Sequence, residues 1–240
     1  MTITSAIGAM LAASLLLTGC QTSEQRPAAP AYPSGPVTMT AGANPGSGFD
    51  ITIRAVVDAL EKEKIVEMAL PVENRPGNIG ADFLATMVEE YKGRDDQVSV
   101  TSLSMMMNEY RGISEYGYRD VTMIARLMTE YYIVLTTPDA PYQNLKDLLS
   151  VVRDDPAAIA VGAATDDQAP FDLLVTAAGG DPGRINYVSF EGGAEQSAAL
   201  AGGEIDVAVT GVSEVVEAVT SGTLRPLGVL SEERLPGLDT

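Results

Sequence analysis

Apolar residues in this chain fall into two alternating rhythms. Phe49, Ile53, Val56, Val57 and Leu60 recur every three or four positions and predict an amphipathic helix, preceded by a short strand in "VTMTA". "EMALPV" predicts a second strand, and Ile79, Phe83, Leu84, Met87, Val88 and Tyr91 a second helix. "QVSVTS" and "YYIVLTTP" continue the strands. Beyond Pro141, Leu145, Leu148, Leu149 and Val152 line a helix, "AIAVGAA" is a strand, and Phe171, Leu174, Val175 and Ala178 form another helical face. "INYVSF", "DVAVTG" and "LRPLGVL" complete the strands, with helices over about 194–201 and 213–221 between them. Such alternation predicts an α/β chain with parallel sheets covered by helices.

In open α/β sheets the ligand sits beyond the carboxyl ends of the strands, where each strand runs into its helix. Four of these junctions are rich in Gly, Ser or Thr: residues 44–49, 102–104, 162–165 and 190–193. A fifth, 211–213, follows "DVAVT". Glycines are needed for turning in any such loop. Their recurrence at one end of the strands nevertheless predicts a polar cleft, with Ser102, Ser104 and Ser213 among the candidate donors. The first loop, "ANPGSGFDITIR", places backbone N–H groups at a helix start, where they can cradle an anion. It is not a nucleotide loop: no lysine follows the glycines, and position 51 is Ile where the dinucleotide fingerprint needs Gly.

Composition narrows the chemistry. With 15 Lys and Arg against 33 Asp and Glu, the formal charge is −18, and no basic run offers a footprint for nucleic acid. Histidine is absent and there is one cysteine, so Ser-His-Asp and Cys-His catalysis, an internal disulfide and a thiolate zinc cage are all excluded. Length 240 and 23 glycines suit one large domain or two lobes.

Residues 6–17 are too short an apolar run to span a bilayer, which takes about 20 residues, and read as the core of an export signal over residues 1–20. "LTGC" looks like a bacterial lipobox with Cys20 as the lipidated residue. The first ten residues lack the usual Lys or Arg. "QTSEQRPAAPAYPSG", residues 21–35, then reads as a flexible tether.

The motifs also carry a resemblance. "PGSGFDITIRAVVDAL", "VENRPGNIGADFLA", "VTMIARLMTEYYIVLTTPDAPYQNLKDLL" and "INYVSFEGGAEQSAALAGGEIDVAVTGVSEVVEAVTSGTLRPLGVLSEERLPG" together resemble the substrate-binding receptors of tripartite tricarboxylate transporters, the Bug family. The likeness runs from Pro36 to Gly237. It implies a type II periplasmic binding-protein fold, two α/β lobes (36–132 and 133–228) around a ligand cleft, with 229–240 returning towards the first lobe. Relatives continue further, so the last part of the first lobe is expected to be missing. "YYIVLTT" and "LRPLGVLS" would make the crossings.

The resemblance further implies a non-enzymatic, extracytoplasmic receptor, which the lipobox at Cys20 would make a lipoprotein. It would act as a monomer without cofactor or metal, and hand a small di- or tricarboxylate to an integral-membrane permease. Carried over by position, Gly46, Ser47, Gly48, Phe49 and Asp50 would form one half of the ligand site, and Ala164, Thr165, Phe190, Gly192 and Gly193 the other.

One departure is "ATDDQAPF", where the family has a small glycine-rich loop. Asp166 and Asp167 are expected to point outward as ordinary helix-start acids. Turned inward, they would repel a carboxylate or select an amine or a bound cation. The alternative function is a secreted metal-assisted hydrolase or transferase built on Asp50, Asp166 and Asp167. Other side chains have plainer expected roles: Met105, Met106 and Met107 in core packing, Tyr131 and Tyr132 in hinge and core, Asp50 as a helix cap, and Arg54 and Arg75 in ion pairs.

Overall fold

Three parallel strands open the fold. They are β1 (Thr38–Ala41), β2 (Val72–Asn74) and β3 (Gln97–Val100), in the order β2-β1-β3, with Met39 opposite both Val72 and Val98. This is a computed structural model that describes residues 32–238. Cys20, the export signal and most of the expected tether lie outside the described residues, and residues from Gly35 onward form one compact unit. Helix α1 (Gly48–Lys62) lays Ile53 and Val57 against Val37, Met39, Ala41 and Leu70, so the predicted apolar stripe is its buried face. Helices α2 (Ala81–Glu89) and α3 (Ser104–Tyr110) follow β2 and β3.

The second sheet has five strands: β4 (Tyr132–Thr136), β5 (Ala160–Ala163), β6 (Asn186–Ser189), β7 (Val207–Gly211) and β8 (Arg225–Val229), in the order β6-β5-β7-β4-β8. Side chains alternate across it as the pleat requires. Val134 joins Val161, Phe171, Val175, Val207 and Val209 on one face, with Leu148 and Val152 of α4 (Leu145–Asp154). Ile133 and Leu135 join Leu200, Ile205, Ala208 and Leu224 on the other. Helix α5 (Gln168–Ala177) supplies Phe171 and Val175 to the first face, and α6 (Gly193–Gly202) supplies Ala199 and Leu200 to the second.

Four expectations are corrected. The second sheet is mixed, because β4 runs antiparallel to both β7 and β8, while β5 is parallel to β6 and β7. A strand buried on both faces reads as the same continuous apolar run in either direction, so the pattern carries no sign for β4. The second helix starts at Ala81 rather than Ile79, because Asn78, Ile79 and Gly80 take left-handed φ values of 49°, 50° and 84°. The predicted helix over 213–221 breaks into a single turn, Val212–Glu214, and the short α7 (Val216–Thr220). Of the three methionines expected in the core, Met105 is buried and Met106 is exposed.

Among the described residues, no helix is long and apolar enough to cross a membrane.

Candidate functional site

The two sheets meet at the carboxyl ends of their strands. There, loops from the first sheet present donors to acids from the second. The first loop is held rigid from behind. Ser47 caps α1, accepting from the Asp50 N–H at 3.4 Å. The buried Asp50 carboxylate accepts from Gly46 N–H (2.9 Å), Arg54 Nε (2.8 Å) and Asn74 Nδ2 (2.9 Å). Burial pushes the Asp50 carboxyl up, but the hydrogen bonds from Arg54, Gly46 and Asn74 outweigh it and hold it below the usual carboxylate range.

This bracing leaves the Gly48 N–H aimed into the crevice, where it donates to Glu214 Oε1 at 2.5 Å. From the other side, the Gly193 N–H that opens α6 donates to Glu214 Oε2, and the Thr210 hydroxyl at the end of β7 donates to the same oxygen at 2.8 Å. Two helix N-termini, one beside each sheet, thus converge on one carboxylate, the arrangement by which helix starts bind anions. A side chain at either position would crowd Glu214, and at 193 the conflict reaches the Glu214 Cβ. A Cβ at position 48 would lie 2.6 Å from Glu214 Oε1, and one at 193 would lie 2.5 Å from Oε2 and 2.8 Å from the Glu214 Cβ. A Cβ at position 192 would lie 3.1 Å from the Ser47 Cβ.

Further ties repeat the theme. Asn44 Nδ2 donates to Glu195 Oε1 at 2.6 Å, the Ile79 N–H to Glu191 Oε2 at 3.3 Å, and the Ser102 hydroxyl to Asp166 Oδ2 at 3.0 Å. Arg111 Nη1 donates to the Thr165 carbonyl at 3.3 Å. Apart from this last contact, the acceptors are carboxylates of the second-sheet side.

Asp166 and Asp167 are therefore not outward-facing. They are 8% and 7% exposed, and the expectation of solvated helix-start acids is corrected. The turn before α5 directs Asp167 back onto the Ala164 N–H (3.1 Å) and Gln196 Nε2 (3.4 Å), while Asp166 reaches Ser102. Burial pushes both carboxyls up; Asp166 and Glu214 push Asp167 further by repulsion. Burial also raises Glu214, against the pull of its bonds to Thr210, Gly193 and Gly48, and it raises Glu191 as well. Among the described residues, no Lys or Arg forms an ion pair with Asp166, Asp167 or Glu214.

Of the residues named from sequence, Gly48, Gly192 and Gly193 gather around the Glu214 carboxylate, with Ser47 against Gly192, Gly46 beside Ala194, and Asp50 behind the loop. Ser102, Ser104 and Ala164 surround the aspartate pair: Ser104 N–H donates to Ser102 Oγ at 3.1 Å, and Thr165 faces Arg111. Ser213 is engaged elsewhere, donating through its hydroxyl (2.6 Å) and N–H (3.3 Å) to Glu130. The rings of Phe49 and Phe190 pack into the two cores. Sequence reading missed Glu214, Thr210, Gln196 and Glu191. The one available signal for Glu214 was an acid three residues beyond the Gly211 that ends β7. The metal-assisted alternative needs ligands in a cluster; among the described residues, no three of Asp, Glu, Cys or His are placed to hold a metal ion.

The family model described as the tripartite tricarboxylate transporter family receptor (TctC) matches residues 53–240. A UPF0065 protein of Bordetella pertussis is 22% identical over 212 residues, covering 85% of this chain and 63% of the relative. A UPF0065 protein from the tcbD–tcbE intergenic region of Pseudomonas sp. strain P51 is 24% identical over 230 residues, covering 93% and 66%. The chain thus spans just under two thirds of the length of these relatives. In fold it is similar to MatC of Rhodopseudomonas palustris, solved with bound malate, with a TM-score of 0.72, 22% identity, and coverage of 85% of this chain and 70% of that one. The fold is that of the type II periplasmic binding proteins, and the chain belongs to the tripartite tricarboxylate transporter receptor family.

Proposed function

We propose that this chain is an extracytoplasmic solute receptor that holds a small organic carboxylate between its two sheets and releases it unaltered to a membrane permease. The observation that carries the reading is the convergence of Gly48 N–H, Gly193 N–H and the Thr210 hydroxyl on a single carboxylate. Glu214 fills that cradle in the structure. In the loaded protein, a ligand carboxylate takes the same donors and Glu214 swings out. The lipid anchor on Cys20 and the permease partner belong to the same reading, as does action as a monomer.

Magnitudes support it. Hydrogen bonds to a charged group contribute roughly 1.5–3 kcal/mol each, and two helix starts add roughly 0.3–1 kcal/mol each. Set against the association cost, such sums reach the micromolar range near −8 kcal/mol. Repulsion from the formal charge of −18 is screened over about 8 Å at physiological salt, so the local donors dominate.

The test is calorimetric titration of the full chain with succinate, malate and citrate beside the uncharged succinamide. Saturable binding of the acids and none of the diamide is the expected result. Equal binding of the diamide, or conversion of any acid into product, overturns the reading.

A further inference from the structure

The crevice has more acceptors than donors. Asp166 and Asp167 sit side by side, nearly out of solvent, and Glu214 is close enough to repel Asp167. Beside them, Gln196 extends from α6 into full burial, with its Nε2 on Asp167 Oδ2 at 3.4 Å. The other end of that amide, Oε1, has no hydrogen-bond partner among the described residues. A buried acceptor without a donor is destabilising. Desolvated carboxylates without a counter-charge cost more still. The Arg111 guanidinium donates to the Thr165 carbonyl and Gln168 Oε1 instead of the acids. Donors are what this end of the crevice lacks, and positive charge in particular.

We propose that the Asp166, Asp167 and Gln196 cluster is an ammonium subsite, and that the ligand carries a primary ammonium group as well as the carboxylate held by Gly48, Gly193 and Thr210. An alkylammonium has three donors, no acceptor and a compact charge, which suits two carboxylates and one orphan amide oxygen. The two subsites are neighbours, since Gln196, which reaches Asp167, stands one helical turn along α6 from Gly193, whose N–H holds Glu214. This inference deepens the receptor reading and rests on it. An ammonium selects the same molecule that the main-chain cradle selects, by its opposite end.

The experiment compares molecules differing by one ammonium: aspartate with succinate and glutamate with glutarate, by calorimetry on the full chain, with 1,4-diaminobutane as a cation lacking a carboxylate. The expected result is at least tenfold tighter binding of the amino member of each pair, an advantage that falls to less than threefold in Asp167→Asn. Gln196→Leu, which removes the orphan oxygen without altering charge, should reduce the same ratio, and so guards against a misfolded aspartate variant. Equal or tighter binding of succinate and glutarate overturns the ammonium subsite while leaving the carboxylate receptor standing. Binding of the diamine alone supports the subsite and overturns the carboxylate reading. Binding of none of the five overturns both.

Discussion

Gly48 and Glu214 are 166 positions apart in the chain and meet at 2.5 Å, backbone N–H to carboxylate Oε1. Because Gly193 and Thr210 hold the other oxygen, one side chain ties the start of α1 on the first sheet to the start of α6 on the second. The tie occupies the donors that a bound carboxylate would use. A side chain in this position is both a clasp between the sheets and a competitor for the ligand.

Truncating that side chain should leave a carboxylate-sized vacancy. In Glu214→Ala, three hydrogen bonds to a charged group are lost. The repulsion that Glu214 exerts on Asp167 is relieved at the same time, so the net change in stability without added ligand should be within about 1–3 kcal/mol. The decisive readout is the response to acetate. Thermal melts of the variant should rise with tens of millimolar acetate at fixed ionic strength, and those of the parent should not. An equal response in both proteins would mean that Glu214 does not fill the anion cradle.

Gly193, which frames the cradle, should tolerate nothing larger. Gly193→Ala places a Cβ 2.8 Å from the Glu214 Cβ and 3.0 Å from Thr210 Oγ1, a conflict expected to destabilise by about 1–3 kcal/mol and to abolish titration by succinate. Gly202→Ala, on the same helix with its nearest neighbour atom 4.0 Å away, is the control. It should be neutral or stabilise by up to about 1 kcal/mol through helix propensity. Chemical denaturation of both variants checks the contrast.

Much of this arrangement was legible from periodicity and from turn chemistry. The α1 stripe of Ile53 and Val57 turned out to be the buried face, and the loop glycines at 48, 192 and 193 all lie against Glu214. What sequence could not supply was direction and pairing. β4 looks the same forwards and backwards, because residues on both of its faces are buried. Asp166 and Asp167 follow a strand as ordinary helix-start acids do, and only the turn that sends Asp167 back to the Ala164 N–H shows that they face inward. Glu214 depends on contacts spanning 166 residues, beyond any local rule.

Bracing of the first loop by Asp50 predicts a coupled loss of stability and binding. An Asn at position 50 keeps one carbonyl oxygen for three donors, Gly46, Arg54 and Asn74, and removes the charge that attracts Arg54. Asp50→Asn is expected to cost about 1–3 kcal/mol in urea unfolding, and to weaken succinate titration by releasing the loop that positions Gly48. Arg54→Ala should do less, because the Arg54 side chain is about half exposed and surface ion pairs contribute under about 1 kcal/mol. If Asp50→Asn unfolds like the parent and binds equally well, the loop is rigid for another reason.

The buried acids and Asp50 pull stability in opposite directions with pH. For Asp166, Asp167 and Glu214 the folded values are raised. Between the ordinary carboxylate range near about 4 and those raised values, the folded state binds more protons than the unfolded one, so stability falls as pH increases. For Asp50 the folded value is lowered, and its contribution is present above the ordinary range and lost as pH drops through the depressed value. The ligand-free protein should therefore be most stable at mildly acidic pH and lose stability towards neutrality. General repulsion among the surface acids also grows with pH, so the parent's slope alone does not isolate the crevice. Asp166→Asn and Asp167→Asn do, since each removes a titrating group while leaving the surface charge in place. Urea midpoints at pH 5 and 7.5 should differ less in either variant than in the parent. If the parent's midpoint instead increases with pH, or if the variants keep its full slope, the buried carboxyls are not held above their usual range.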